Sequence, residues 1–195
     1  MSKIMGLEEI KLFGIECINS APPRQIDELI KFYSKLLEEY CNTKFTRTRS
    51  IMFTDTAAKV KLRNTPAIEV EKIIYNKKPL KLYKDYFMYD SCIDFITEFE
   101  YVPKGLEIHY VYGFEVVPAL VEQALVELIK LRLDFSQHNS SVTGESFGGD
   151  YSYTKSKSLA QLQDEILSTL DDYVQPEYEP YVDTDITTEI RAWII

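Results

Sequence analysis

The chain has 195 residues, of which 45% are hydrophobic and 27% are charged, and its formal net charge is −9. This is ordinary globular composition for one domain, and the acidic balance disfavours a protein that binds nucleic acid over its whole surface. Residues 1–114 hold 16 acidic and 17 basic side chains, whereas residues 115–195 hold 15 acidic and 5 basic ones. This imbalance predicts either a solvated acidic tail or a surface for a basic partner.

The N-terminal half predicts one irregular segment followed by one helix. Residues 1–23 show no periodicity and end in a pair of prolines, which break the chain. From residue 24 to 40, apolar residues such as Ile26, Ile30 and Tyr33 recur at helical spacing. We therefore predict an amphipathic helix over 24–40.

The middle of the chain predicts a small sheet. Residues 44–114 are rich in β-branched and aromatic types, and the segment 106–112 alternates strictly between apolar and polar residues. Further strands are predicted over 60–63, 68–75, 80–88 and 92–99, with a turn at Pro103-Lys104-Gly105. The expected sheet is built from residues 58–112.

The C-terminal part returns to helical periodicity. Helices are predicted over 118–136 and 158–174, separated by a polar, glycine-bearing loop over 137–157, and Ser158 to Gln161 matches a capping box. The predicted fold class is therefore α+β: a small helical bundle of three main helices with a β-rich insert at about 44–114 between the first and second. One domain would cover 24–174, and 175–195 would be an acidic tail with an apolar tip.

Catalytic and metal-binding patterns are weak. Gly144-Glu145-Ser146-Phe147-Gly148 fits the nucleophile elbow G-x-S-x-G, but a polar loop precedes it, and both histidines, His109 and His138, come before the serine instead of after it. Cys17, Cys41 and Cys92 are scattered and odd in number, which is typical of reduced cytosolic thiols. We expect no enzyme, no cofactor, no metal site, no signal peptide and no membrane span.

Two basic groups lie in the predicted insert. They are Arg47 with Arg49, and the lysines Lys77, Lys78, Lys81 and Lys84. Solvated turns and strand edges explain them simply, because edge lysines discourage strand pairing between molecules. The alternative is a basic contact face for DNA or for the acidic third of a neighbouring copy.

The segment Tyr110-Val111-Tyr112-Gly113-Phe114 ends a predicted strand and is followed by Val117-Pro118 and a predicted helix. This segment is similar to the strand-to-helix junction of the head–tail connector (head-completion adaptor) proteins of tailed bacteriophages, and the order of motifs from residue 24 to 174 resembles that family. The loop 143–153 resembles its Ser-Glu-Ser-hydrophobic-Gly segment, and Leu62 to Ile68 resembles the segment that opens its insert. Residues 1–23 and the tail after Gln175 have no counterpart in the family.

This resemblance implies a viral structural protein of the virion neck, made in the host cytoplasm. It implies a homo-oligomeric ring, a dodecamer, that docks beneath the portal protein, contacts a stopper or tail-completion protein, and lets DNA pass non-specifically through its channel. The alternatives are another phage junction protein, such as a stopper or tail adaptor, a small serine hydrolase using Ser146, and a cytosolic interaction module unrelated to phage. We expect a subunit or portal interface in the glycine loop and the apolar tip, formed by Glu145, Ser146, Phe147, Gly148, Gly149, Tyr151, Tyr153, Trp193, Ile194 and Ile195.

Overall fold

The chain divides into two compact units in a computed structural model that describes residues 3–96, 98–137 and 158–179. We call Met1–Thr46 with Val116–Val174 the helical unit. Arg47–Glu115 with Gln175–Ile195 forms the strand unit. The chain therefore enters the strand unit after the first long helix, returns to the helical unit before the second, and enters the strand unit again at Gln175.

The helical unit contains five described helices. They are α1 (Leu7–Lys11), α2 (Glu16–Ser20), α3 (Pro23–Tyr40), α4 (Ala119–Gln137) and α5 (Leu159–Ser168), followed by a 3₁₀ turn at Asp171–Tyr173. The long helices α3 and α4 confirm the two predicted from apolar spacing. The first 23 residues, expected to be irregular, instead contain α1 and α2, since short helices leave little periodicity in a sequence.

The core of the helical unit lies between α3 and α4. Proline at the first position of α3 lacks an N–H that would have no partner there anyway, so the helix starts at Pro23. Ile26, Ile30 and Leu37 are fully buried on one face of α3. The facing side of α4 buries its apolar residues in the same way, at Val121, Ala124, Leu125, Leu128 and Ile129.

Helix α5 starts where its capping box predicts but ends early. The Ser158 hydroxyl accepts from the Gln161 N–H at 3.2 Å, and the Gln161 side chain accepts from the Ser158 N–H at 2.9 Å. The expected helix over 158–174 is wrong beyond Ser168, where the backbone tightens into the 3₁₀ turn. Apolar spacing continues to Leu170, and it does not distinguish the two helix types over so short a stretch.

The strand unit holds two antiparallel sheets. Its described strands are β1 (Thr48–Thr54), β2 (Lys59–Lys61), β3 (Ala67–Tyr75), β4 (Lys78–Leu80), β5 (Tyr86–Tyr89), β6 (Cys92–Phe95) and β7 (Leu106–Tyr112). The four-stranded sheet has the order β1-β7-β3-β4, and the three-stranded sheet has the order β2-β6-β5. Strand β7 was predicted from its alternating residues as a half-buried strand, and it lies between β1 and β3, with burial that alternates as far as Tyr110.

The two sheets share one hydrophobic core. Ile73, Ile93, Leu106 and Ile108 are fully buried in it. Tyr110 is buried as well, and its hydroxyl accepts hydrogen bonds from the backbone N–H and the side-chain amide of Asn64, at 3.1 and 3.0 Å. The strand unit therefore has its own hydrophobic core, in which the buried Tyr110 hydroxyl is hydrogen-bonded.

The predicted architecture, a three-helix bundle with a small β-rich insert, is therefore wrong. The chain is α+β, but its described part has five helices and seven strands, and the strands form two sheets around their own core. The expected single sheet over 58–112 also omitted β1 at Thr48–Thr54. Sequence period identifies strands but carries no information on how they are shared between sheets.

The start of the acidic tail belongs to the strand unit. The Thr65 hydroxyl donates to the Gln175 side-chain carbonyl at 3.0 Å. The guanidinium of Arg63 lies 5.5 Å from the ring centre of Tyr178, which also packs against the core of the sheets. Residues 175–179 are thus held by a hydrogen bond and a cation–π contact.

Candidate interaction surfaces

One face of the four-stranded sheet carries a row of ion pairs. Arg47 Nη2 lies 2.5 Å from Glu69 Oε1, and Arg49 Nε lies 2.8 Å from Glu71 Oε1. Each pair joins a residue at the start of β1 or just before it to a glutamate of β3. These carboxylates neutralise both arginines, so Arg47 and Arg49 add little net charge to the surface.

The same face of β1 exposes apolar side chains. Because alternate residues of a strand share a face, Ile51 and Phe53 follow Arg49 there, and both are more than half exposed. Their cross-strand partners on β7 are His109 and Glu107, whose side chains contact each other at 2.6 Å. This face combines two exposed hydrophobic residues with a polar pair at the edge of a sheet.

The four lysines of the second predicted basic group lie around one hairpin. Strands β3 and β4 are joined by the two-residue turn Asn76-Lys77, whose φ angles of 48° and 64° are those of a tight hairpin turn. Lys77, Lys78, Lys81 and Lys84 are all exposed. We call residues 76–84 the basic hairpin; they contain these four lysines and no acidic residue.

Apolar side chains accompany the lysines of the basic hairpin. Leu82 is 44% exposed and Tyr83 is 76% exposed, and the Tyr83 ring lies 6.1 Å from that of Phe87. In the described part of the strand unit, the ion pairs involve Arg47, Arg49, Lys59 and His109, not the hairpin lysines. The basic hairpin is thus a positively charged surface with an exposed hydrophobic centre.

The two basic groups do not form the single contact face expected from the sequence. Arg49 pairs with Val111 of β7, whereas the hairpin end of β3 pairs with Leu106. These positions on β7 are five residues apart, or about 16 Å at the rise of an extended strand. The structure therefore assigns the four lysines, and not the two arginines, to a basic surface.

The helical unit has an open groove between α4 and α5. Its volume is about 440 Å³. Three carboxylates, those of Glu127, Asp134 and Glu165, line it with one lysine, Lys130, and its apolar lining is formed by Leu131, Leu162 and Ile166. We call this the acidic groove. Its three apolar residues lie in the two predicted helices over 118–136 and 158–174, and they are only half-buried.

A second cleft lies beside the first, between α2 and α4. It measures about 780 Å³ and shares Lys130 and Asp134 with the acidic groove. Cys17 lies in it. Burial, and next the negative charge of Asp134, raises the pKa of the Cys17 thiol. A thiol with a raised pKa stays protonated near neutral pH and is a poor nucleophile.

The described cysteines form no disulfide with one another. Burial raises the pKa of Cys41 to about 11, and Cys17, Cys41 and Cys92 are free. Within residues 3–96, 98–137 and 158–179, no group of three or more His, Cys, Asp or Glu side chains is placed to hold a metal ion. None of the helices in those ranges is long and apolar enough to cross a membrane.

The remaining predicted site residues lie outside the described residues. These are Glu145, Ser146, Phe147, Gly148, Gly149, Tyr151 and Tyr153 of the glycine loop, and Trp193, Ile194 and Ile195 of the apolar tip. Their assignment to a subunit or portal interface stays a prediction, and so does the proposal that Ser146 has no catalytic role.

The sequence contained a signal for the apolar surfaces that was not used. Ile51-Met52-Phe53 is an apolar run in a strand whose other face is buried, so at least one of its members must face outwards. Likewise, α5 has more apolar positions than a single contact with α4 buries. An excess of apolar residues over one buried face indicates a second contact surface.

Comparison of the sequence with protein-family models and with curated proteins gave no match.

Proposed function

We propose that the chain is a non-enzymatic structural subunit of a phage head–tail connector. In this proposal, copies form a ring beneath the portal, join the capsid to the tail and surround the DNA channel. The ordered motifs over 24–174 support the assignment, since their resemblance to the connector family is collective and does not depend on one motif. Its place would be the neck of the virion.

The observation that carries the proposal is the presence of two unlike surfaces on one chain. The basic hairpin is positively charged with exposed Leu82 and Tyr83, whereas the acidic groove is negatively charged with a half-buried apolar lining. A closed ring needs two different surfaces on each subunit, because its contacts join unlike faces. Exposed hydrophobic residues rimmed by charge are typical of protein–protein contact sites.

Thiol chemistry and charge also favour a structural role. Raised pKa values at Cys17 and Cys41 keep these thiols protonated near neutral pH. The described helical unit holds eight basic and fourteen acidic side chains. An acidic surface towards a DNA channel repels phosphates and lets the duplex slide.

Co-expression with the portal protein of the same genome tests the proposal. We expect an affinity-tagged portal to retain the full-length chain. Deletion of residues 190–195 should weaken that retention at least tenfold, because we propose Trp193 as an apolar anchor and tryptophans often dominate the binding energy of interfaces. The Tyr101→Phe variant is the control and should be retained like the wild type, because that side chain is 71% exposed and is not among the predicted interface residues. A wild-type chain that the portal does not retain would contradict the proposal, as would covalent labelling of Ser146 by a fluorophosphonate.

A further inference from the structure

We propose that the basic hairpin of one copy docks in the acidic groove of a second copy, and that this contact, repeated from copy to copy, closes the ring. The inference rests on the proposed function and names the two surfaces that would meet. Both surfaces lie entirely within described residues, one in each unit of the chain.

Charge complementarity selects this pair of surfaces. Residues 76–84 carry four lysines and no acidic residue, while the acidic groove holds three carboxylates and one lysine. The neighbouring cleft adds Glu16 to the same side of α4. Opposite charges on two surfaces steer their encounter and disfavour contacts between like surfaces, which is the requirement for head-to-tail assembly.

Apolar complementarity supports the same pairing. Leu82 and Tyr83 project from the basic hairpin, and Tyr83 is the more exposed of the two, at 76%. The acidic groove offers Leu131, Leu162 and Ile166 as an incompletely buried apolar lining. Docking would remove both sets of apolar side chains from water, and hydrophobic burial is the main favourable contribution to protein association.

The basic hairpin is already held in one conformation. Its two-residue turn fixes β3 and β4, and in the following loop the Lys81 N–H donates to the Asp85 carboxylate at 2.7 Å. The Asp85 N–H donates back to the Lys81 carbonyl at 2.8 Å, and the Tyr83 N–H donates to the Tyr86 carbonyl at 2.8 Å. A preorganised segment loses little conformational entropy when it binds.

A protein groove fits this hairpin better than duplex DNA does. Lysines alone would suit a phosphate backbone, but phosphates offer no partner for Leu82 and Tyr83. The acidic groove, in turn, repels DNA and attracts the lysines. We therefore assign the hairpin to a second copy of this chain and treat DNA binding as a contrary outcome.

Two charge-reversal variants and their mixture test the contact. In the hairpin variant, Lys81→Glu and Lys84→Glu reverse two charges; in the groove variant, Glu127→Lys and Glu165→Lys do the same. Sedimentation velocity of the full-length chain at high concentration and low ionic strength measures self-association. We expect each variant alone to associate at least tenfold more weakly than the wild type.

An equimolar mixture of the two variants should recover association. In an alternating ring, the glutamates introduced in the hairpin meet the lysines introduced in the groove, and the unchanged hairpin meets the unchanged groove, so neither contact keeps the repulsion that each variant has alone. Lys61→Glu with Lys72→Glu is the matched control, because it changes the charge of the strand unit equally at positions outside the hairpin, opposite Cys92 of β6 and His109 of β7. We expect this control to associate like the wild type. Circular dichroism confirms that each variant is folded.

Several outcomes would overturn the inference. The contact is wrong if the hairpin variant associates like the wild type, or if folded variants fail to recover association when mixed. It is also wrong if the hairpin variant loses affinity for a duplex oligonucleotide and keeps self-association, or if the groove variant changes only the stability of its own monomer. In these cases the ring proposal stands, whereas a wild-type chain that associates neither alone nor on the portal contradicts the ring itself.

Discussion

At the scale of single residues, hydrogen-bonded side chains in the core fix the strand unit. Tyr110 is fully buried, and its hydroxyl receives two hydrogen bonds from Asn64, whose side-chain amide also lies 3.0 Å from the Ser50 hydroxyl. One tyrosine oxygen thus connects β7 to the turn before β3 and, through Asn64, to β1. A buried polar group of this kind is costly to leave without its partner.

We expect Tyr110→Phe to lower the free energy of unfolding by about 1–3 kcal/mol, because the part-buried backbone N–H and side-chain amide of Asn64 lose their common acceptor. Urea denaturation measures the change. Tyr101→Phe is the control: this side chain is 71% exposed, and its hydroxyl lies 3.3 Å from Asp55. The control should change stability by less than about 0.5 kcal/mol. Equal effects of the two substitutions would refute the assigned role of Tyr110.

Residue types alone did not reveal which charges are neutralised. Arg47 and Arg49 were grouped with the lysines because all six are basic and lie in one region of the sequence. Their pairing with Glu69 and Glu71 depends on the register between β1, β7 and β3, which brings together residues 22 positions apart. The four lysines of the basic hairpin lie within nine consecutive residues. Their positive charge could therefore be predicted without knowing how the strands pair.

At the scale of elements, prediction succeeded where one period continues for several turns. Helices α3 and α4 follow from apolar spacing, and the Ser158–Gln161 capping box correctly places the start of α5. Strand β1 was missed because Ile51-Met52-Phe53 does not alternate in polarity, although its side chains alternate in burial. A strand with apolar residues on both faces loses the period-2 signal.

The capping box of α5 gives a prediction at this scale. Ser158→Ala removes the hydroxyl that accepts from the Gln161 N–H, so we expect a loss of about 0.5–2 kcal/mol in the free energy of unfolding. Ser168→Ala is the matched control, since that hydroxyl donates to a carbonyl one turn back in the same helix, at Glu165. Guanidinium denaturation compares the two variants. A larger loss in the control than in Ser158→Ala would show that the cap does not hold this helix.

The apolar residues of α5 are divided between the core and the acidic groove. Helix α5 buries Leu167 against its neighbours, and Leu170 is buried just beyond its end, whereas Leu162 and Ile166 stay half-buried beside α4. The sequence predicted one apolar face on a longer helix, but the structure divides those residues between the core and the groove. Apolar spacing indicates which face of a helix is buried, but it does not indicate which other element that face packs against.

At the scale of the whole molecule, the described residues form two hydrophobic cores, one in each compact unit. The strand unit buries its own cluster around Tyr110, and the helical unit buries another between α3 and α4. The chain length favours one domain. A β-rich segment between two helices resembles an insert when only the order of the elements along the sequence is known. The number of cores depends on long-range strand pairing, which single-sequence patterns do not contain.

The proposed ring is formed by many copies of the chain, and each copy carries the two different surfaces that the ring requires. The basic hairpin and the acidic groove have opposite charge and exposed or half-buried apolar residues, as a heterologous contact requires. Contacts between exposed charges are screened by salt, so the association should weaken as ionic strength rises.

Electron cryomicroscopy of the chain co-purified with the portal protein of its genome tests the central claim most directly. The proposal predicts a closed ring of this chain stacked beneath the portal, with a copy number of twelve and neighbouring copies in head-to-tail contact around a central channel. Density for the portal alone, or for this chain as isolated copies or two-fold symmetric dimers, would contradict the assignment.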